Sequence, residues 1–153
     1  MDLKSMLLPE KKVTFEFPGC EGFNIDLCFL SRESNQVLLK KCQKTIIDPK
    51  TRQPREEFDE DLFLQLYTRA IVKGWTGLKL KYLKELVLID VQEEDEEDEL
   101  EYTESNALEL MKNSAILDGW ITDMLKDLAN FTKSSSTKSV KKSKATSKSQ
   151  AQD

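Results

Sequence analysis

A chain of 153 residues is sized for one folded unit with an appendage. With 33% charged and 39% hydrophobic residues it has enough apolar matter to fold and is too polar for a membrane span, and no membrane partner is expected. The net charge of −5 hides a division, because residues 132–153 hold six lysines, one aspartate and seven serines, leaving 17 bases against 27 acids on residues 1–131.

Residues 1–10 lack the basic start and long apolar run of a signal peptide. The three cysteines, Cys20, Cys28 and Cys42, are odd in number and form no CxxC pair, so a reducing cytosolic setting is expected, with the thiols buried as small hydrophobes. Val13, Phe15 and Phe17 alternate with polar residues, as do Phe23, Ile25, Leu27 and Phe29, on either side of residues 18–22. The period of two predicts a β-hairpin over about 12–30 with one apolar face, and later helices must cover that face because two strands alone are marginally stable.

N-cap candidates at 31–34 predict a helix to about Ile47, stopped by Asp48-Pro49, and residues 50–55 then read as a polar loop joining two helices. Phe58, Leu62, Phe63, Leu66, Tyr67, Ala70 and Ile71 fall on one face of a second helix, with acids in its first turns and Lys73-Gly74 at its end. Residues 75–78 form a tight connector, and 78–91 favour helix over strand. The nine acids of residues 93–104 are contiguous and free of glycine, unlike a calcium loop, and read as a solvated link.

Thr103 is a plausible N-cap, with Tyr102 and Ala107 as a hydrophobic staple, for a short helix to about Lys112. Ile116, Leu117, Trp120, Ile121, Met124, Leu125 and Leu128 mark a closing helix to Phe131, behind the N-cap candidates Asn113 and Ser114. Both long apolar stripes read first as core and alternatively as the wall of a partner groove, since a small body leaves much apolar surface uncovered. From residue 132 onward the Lys/Ser-rich chain lacks the apolar content to fold and is expected to be disordered. Its lysines are not interleaved with aromatic residues and the body is acidic, so no nucleic-acid partner is expected.

Histidine is absent, which removes the commonest metal ligand and the imidazole of triad and Cys–His chemistry. No glycine-rich phosphate loop is present. No catalytic residue, metal or cofactor is therefore expected, and the chain reads as something other than an enzyme. An enzyme would instead need a pocket with perturbed titratable groups.

The order of signals resembles the tail assembly chaperones of long-tailed, siphovirus-type bacteriophages. The residues that carry the resemblance are the hairpin ending at Leu30-Ser31-Arg32-Glu33, then Asp61-Leu62-Phe63, then Val72-Lys73-Gly74-Trp75-Thr76-Gly77-Leu78. Downstream follow Tyr102-Thr103-Glu104-Ser105-Asn106-Ala107-Leu108 and the closing helix. The resemblance implies a small, mainly helical protein of the host cytoplasm that binds and solubilises the tape measure protein, helps recruit tail tube protein, and is absent from the mature virion. It also implies a longer frameshifted form of the chain, for which codons at Val140-Lys141-Lys142 could supply the slippery run; a homo-oligomer is left open.

The sequence reading is thus of a small α+β domain, mainly α with an N-terminal β-hairpin, over 1–131, and a disordered tail over 132–153. Trp75, Leu78, Tyr82 and Leu83, beside the glycine-marked connector, are the expected partner-binding residues. The competing reading is a structural virion component such as a head–tail connector or tail-completion protein.

Overall fold

Alternation at a period of two builds the first element of the fold. The computed structural model describes residues 1–132. After a single helical turn, α1 (Leu3–Met6), strands β1 (Glu10–Glu16) and β2 (Asn24–Leu30) pair antiparallel, with Val13 opposite Leu27 and Phe15 opposite Ile25. Those four side chains are buried on one face, as a one-residue slip would forbid. Gly19 and Gly22 take positive φ in the turn, and the Gly22 amide donates to the Glu16 carboxylate at 3.0 Å.

The strand that completes this sheet comes from where a helix end was expected. Helix α3 (Glu60–Ile71) runs directly into β5 (Val72–Thr76), which pairs antiparallel with β2 in the order β1-β2-β5. Lys73-Gly74 is therefore no helix cap. Gly74 lies opposite Asp26, and a Cβ there would sit 3.1 Å from the Asp26 carboxylate, which also accepts the Thr14 hydroxyl. Glycine leaves room for that cross-strand pair.

A second correction concerns residues 43–58. Helix α2 (Arg32–Lys41), capped by Ser31, ends six residues before Ile47, and β3 (Gln43–Ile47) and β4 (Pro54–Phe58) form a two-stranded hairpin in place of a helix and a loop. Thr45-Ile46-Ile47 are β-branched and suit a strand. Asp48 then turns the chain, its side chain accepting from the Lys50 amide at 2.8 Å, with Arg52 in the left-handed region. Turn residues such as Asp-Pro stop a helix and open a hairpin equally well. Phe58 thus belongs to β4, and Asp59 caps α3 by accepting from the Leu62 amide at 3.0 Å.

Helix α4 (Leu80–Leu86) covers only part of the apolar span 78–91. As predicted, Thr103 caps α5 (Glu104–Asn113), accepting from the Asn106 amide at 2.9 Å. Ser114 ends α5 and caps α6 (Ala115–Lys126), its buried hydroxyl accepting from the Leu117 amide at 3.0 Å. The closing helix stops at Lys126, so Phe131 reaches the core from a separate turn, α7 (Ala129–Thr132). Ile116 and Leu128 are exposed, outside the core stripe of Leu117, Ile121 and Met124.

Helices α3, α6 and α7 pack on the sheet, and Phe131 meets Phe15 edge-on at 5.4 Å. The result is a small α+β domain with the predicted hairpin at its start. Cys20, Cys28 and Cys42 are buried and unbridged, as expected, and burial pushes the Cys20 and Cys28 thiols up. The expected tail, apart from Thr132 at the end of α7, and the Val140-Lys141-Lys142 run lie outside the described residues.

Candidate functional site

Trp75, Leu78, Tyr82 and Leu83 do come together, but they face inward. Trp75 and Leu83 are 7% exposed, and Leu78 is fully buried. The Trp75 indole N–H donates to the Leu100 carbonyl at 2.8 Å, and the half-buried Tyr82 donates its hydroxyl to the Glu21 carbonyl at 2.7 Å. Gly77 beside them has φ +75°, and a Cβ there would lie 2.0 Å from the Gly22 carbonyl oxygen. The connector therefore clamps the hairpin turn, β5, α4 and the segment at 96–100, and its high apolar density is used for that clamp. Three of the four residues expected to hold a partner have no face to offer one.

The acidic run is likewise more than a solvated link. Lys79 offers no side-chain cap to α4, and the Leu80 and Lys81 amides instead donate to the Asp98 and Glu96 carbonyls at 2.8 and 3.0 Å. Glu97 bridges Lys81 at 2.8 Å and Lys79 at 2.9 Å, while Glu96 meets Lys84 at 2.6 Å. Hydrogen bonds from Lys81 and then Lys79 hold the Glu97 carboxyl at about 2. A charge count along the sequence finds the acids but not the lysines that fold back on them.

A partly apolar groove is found elsewhere, where α2, α3 and α6 converge on the end of β2. Phe29, Leu30, Tyr67 and Leu125 wall a groove enclosing about 180 Å³, with Asn35 and Lys126 among its polar residues. Phe63 stacks on Tyr67 with ring centres 5.2 Å apart and planes 15° apart, and Phe58 meets Phe63 at 5.5 Å. Phe58 is 40% exposed, so a half-covered aromatic row runs from β4 along α3 into the groove. Burial pushes the Tyr67 hydroxyl up, with the Asp118 carboxylate adding to it. Of the predicted α3 stripe only Ile71 is fully buried. Helical spacing shows which residues share a face; what lies against that face depends on the rest of the chain.

A second cavity of about 390 Å³ lies between α3 and α5, where Arg69 meets Glu104 at 3.3 Å. The buried Thr68 hydroxyl beside it has no hydrogen-bond partner among the described residues. Among the described residues no three His, Cys, Asp or Glu side chains are grouped to hold a metal ion, and no helix is long and apolar enough to cross a membrane.

Fold and surface together define a small α+β domain with an acidic sequence and a groove of mixed aromatic, aliphatic and polar lining between helices and the end of β2. A profile of the YdaY prophage protein family matches residues 30–142, and the chain belongs to that family. The match begins at the last residue of β2 and takes in every later element, including all the helices that wall the groove. This makes the chain a phage-related protein. No curated protein and no solved structure matches it.

Proposed function

We propose that this prophage protein is a tail assembly chaperone that binds the tape measure protein and keeps it soluble in the host cytoplasm. The observation that carries the reading is the aromatic row Phe58-Phe63-Tyr67 running into the groove beside Phe29 and Leu125. An amphipathic helix lays anchors spaced three and four residues apart into such a groove, and a tape measure protein is a long helix with exposed apolar positions. The acidic body, with 17 bases against 27 acids over residues 1–131, keeps the loaded complex apart from its neighbours. Binding is noncatalytic. The complex helps bring in tail tube protein, with a longer frameshifted form of the chain as a further participant, and the chaperone leaves before the particle is finished.

Co-expression with the tape measure protein of the same prophage tests this. The two should copurify, and Phe63→Glu should lower the recovered complex at least about tenfold while the helical circular dichroism is retained. A tape measure protein that stays insoluble and unbound refutes the proposal. So does stoichiometric presence of this chain in purified particles, the outcome expected of a head–tail connector or tail-completion protein.

A further inference from the structure

Charge is distributed unevenly over the acidic body. Residues 32–55 hold seven bases against two acids, Glu33 and Asp48, whereas the rest of residues 1–131 holds ten bases against 25 acids. The basic stretch covers α2 and most of the β3–β4 hairpin, and all seven bases are exposed. Lys44 pairs with Asp59 and Arg55 with Glu57, but Arg32, Lys40, Lys41, Lys50 and Arg52 form no ion pair among the described residues. An acidic body thus carries one stretch of opposite sign whose charge is largely unneutralised.

The hairpin presents part of that charge at its tip. Strands β3 and β4 pair only with each other, and residues 49–58 are all exposed. The tip is held in shape, the Asp48 amide donating to the Gln53 carbonyl at 3.0 Å and the Arg52 amide to the Asp48 carbonyl at 2.7 Å. Arg52 has φ +61°, a region that favours glycine or asparagine. Glycine would turn the chain there at lower cost; what arginine adds is a guanidinium two residues from Lys50. Beside these cations Ile47, 60% exposed, lies opposite Pro54.

We infer that the hairpin tip docks an acidic surface of another protein, Lys50 and Arg52 meeting its carboxylates while Ile47 and Pro54 supply the apolar contact between them. Charge complementarity calls for an anionic partner, and an exposed apolar pair among the cations suits a protein interface better than a phosphate backbone. A nucleic-acid duplex carries a charge about every 1.7 Å along its axis, so it would run on past the tip and meet the acidic remainder of the body. About 13 Å of strand separates Pro54 from Phe58, which leaves the aromatic row open while the tip is occupied. This second surface is independent of the reading of the groove.

The test is fluorescence anisotropy of a labelled peptide of alternating glutamate and serine, titrated with the full-length protein. It should bind, and more weakly as salt rises. The pair Lys50→Glu, Arg52→Glu should lower the affinity about tenfold or more with circular dichroism retained. Arg52→Gly removes one charge at a position whose backbone favours glycine, so it should fold as well as the parent and bind about threefold more weakly. Reversing two lysines beyond the described residues, Lys141→Glu with Lys142→Glu, should matter less than the tip pair. Binding that follows those lysines, or ignores the tip pair, overturns the inference. So does a DNA duplex that depends on the tip pair more steeply than the peptide does. Self-association of the protein alone, abolished by the tip pair, would make the acidic body of another copy the occupant and overturns it too. Phe63→Glu should leave peptide binding unchanged; a loss there would move the peptide to the aromatic row and remove the inference, while failed copurification of the tape measure protein would remove the chaperone reading alone.

Discussion

Replacing Gly77 by alanine isolates the contact on which the connector depends. The residue has φ +75°, a region that costs an L-residue about 1–2 kcal/mol. The new methyl would also sit 2.0 Å from the Gly22 carbonyl oxygen and 2.8 Å from its carbon, both backbone atoms of the hairpin turn. Relief requires moving that turn away from β5, although Phe23 and Leu78 on either side are fully buried, and such displacement in a packed core costs about 1–3 kcal/mol. The expected loss is therefore about 2–5 kcal/mol, a large share of the total stability of an ordinary domain. In urea unfolding the midpoint should fall with the slope unchanged, and Tm should drop by at least about 8 °C. Gly119→Ala provides the opposite control: its Cβ meets nothing within 4 Å inside α6, and the gain in helix propensity should stabilise the fold by up to about 1 kcal/mol. A Gly77→Ala protein within about 0.5 kcal/mol of the parent would refute the close approach of connector and hairpin turn.

Ser114→Ala removes the buried hydroxyl that caps α6 and keeps the backbone bond that ends α5, and should cost about 1–2 kcal/mol in denaturant unfolding, with no change in helix count by NMR. Trp75→Phe deletes the indole donor to Leu100 and should cost about 1–3 kcal/mol, with amide exchange at 96–100 speeding up first. The Glu97 carboxyl sits below its ordinary 4.5, at about 2, so its lysine contacts contribute fully above pH 4.5 and are lost as pH falls through about 2. Carboxyl NMR should show that midpoint, moving back toward 4.5 in Lys81→Met and in high salt because the group is exposed. An unmoved midpoint would show that the lysines are not its cause.

The features legible in the amino-acid order were those encoded within a few consecutive residues. Alternation fixed the register of β1 and β2, because a slip by one would turn Val13, Phe15, Ile25 and Leu27 to the wrong face. Thr103 was legible as a cap, and Ser31 and Ser114 stood among the candidates at 31–34 and 113–114, because a capping side chain bonds an amide three residues ahead. The same locality explains the misreadings. Residues 43–58 carry stop signals that fit a helix end or a hairpin, and only pairing across the turn, Lys44 with Glu57 and Thr45 with Glu56, selects the hairpin. Gly74 marks the end of a helix by its type and the middle of a strand by its partner Asp26, 48 positions away.

What the chain order determined without help was therefore its chemistry and its local grammar: an acidic body without imidazole, a one-faced hairpin, and helix starts set by nearby hydroxyls. Tertiary structure alone decided which apolar faces meet each other and which stay open. It buried Trp75, Leu78 and Leu83 in a clamp and left Phe58, Phe63 and Tyr67 half covered, although both groups stand in equally apolar stretches. The physical reason is that hydrophobic attraction has no direction, so its outcome depends on which distant segments reach a face first and fit it.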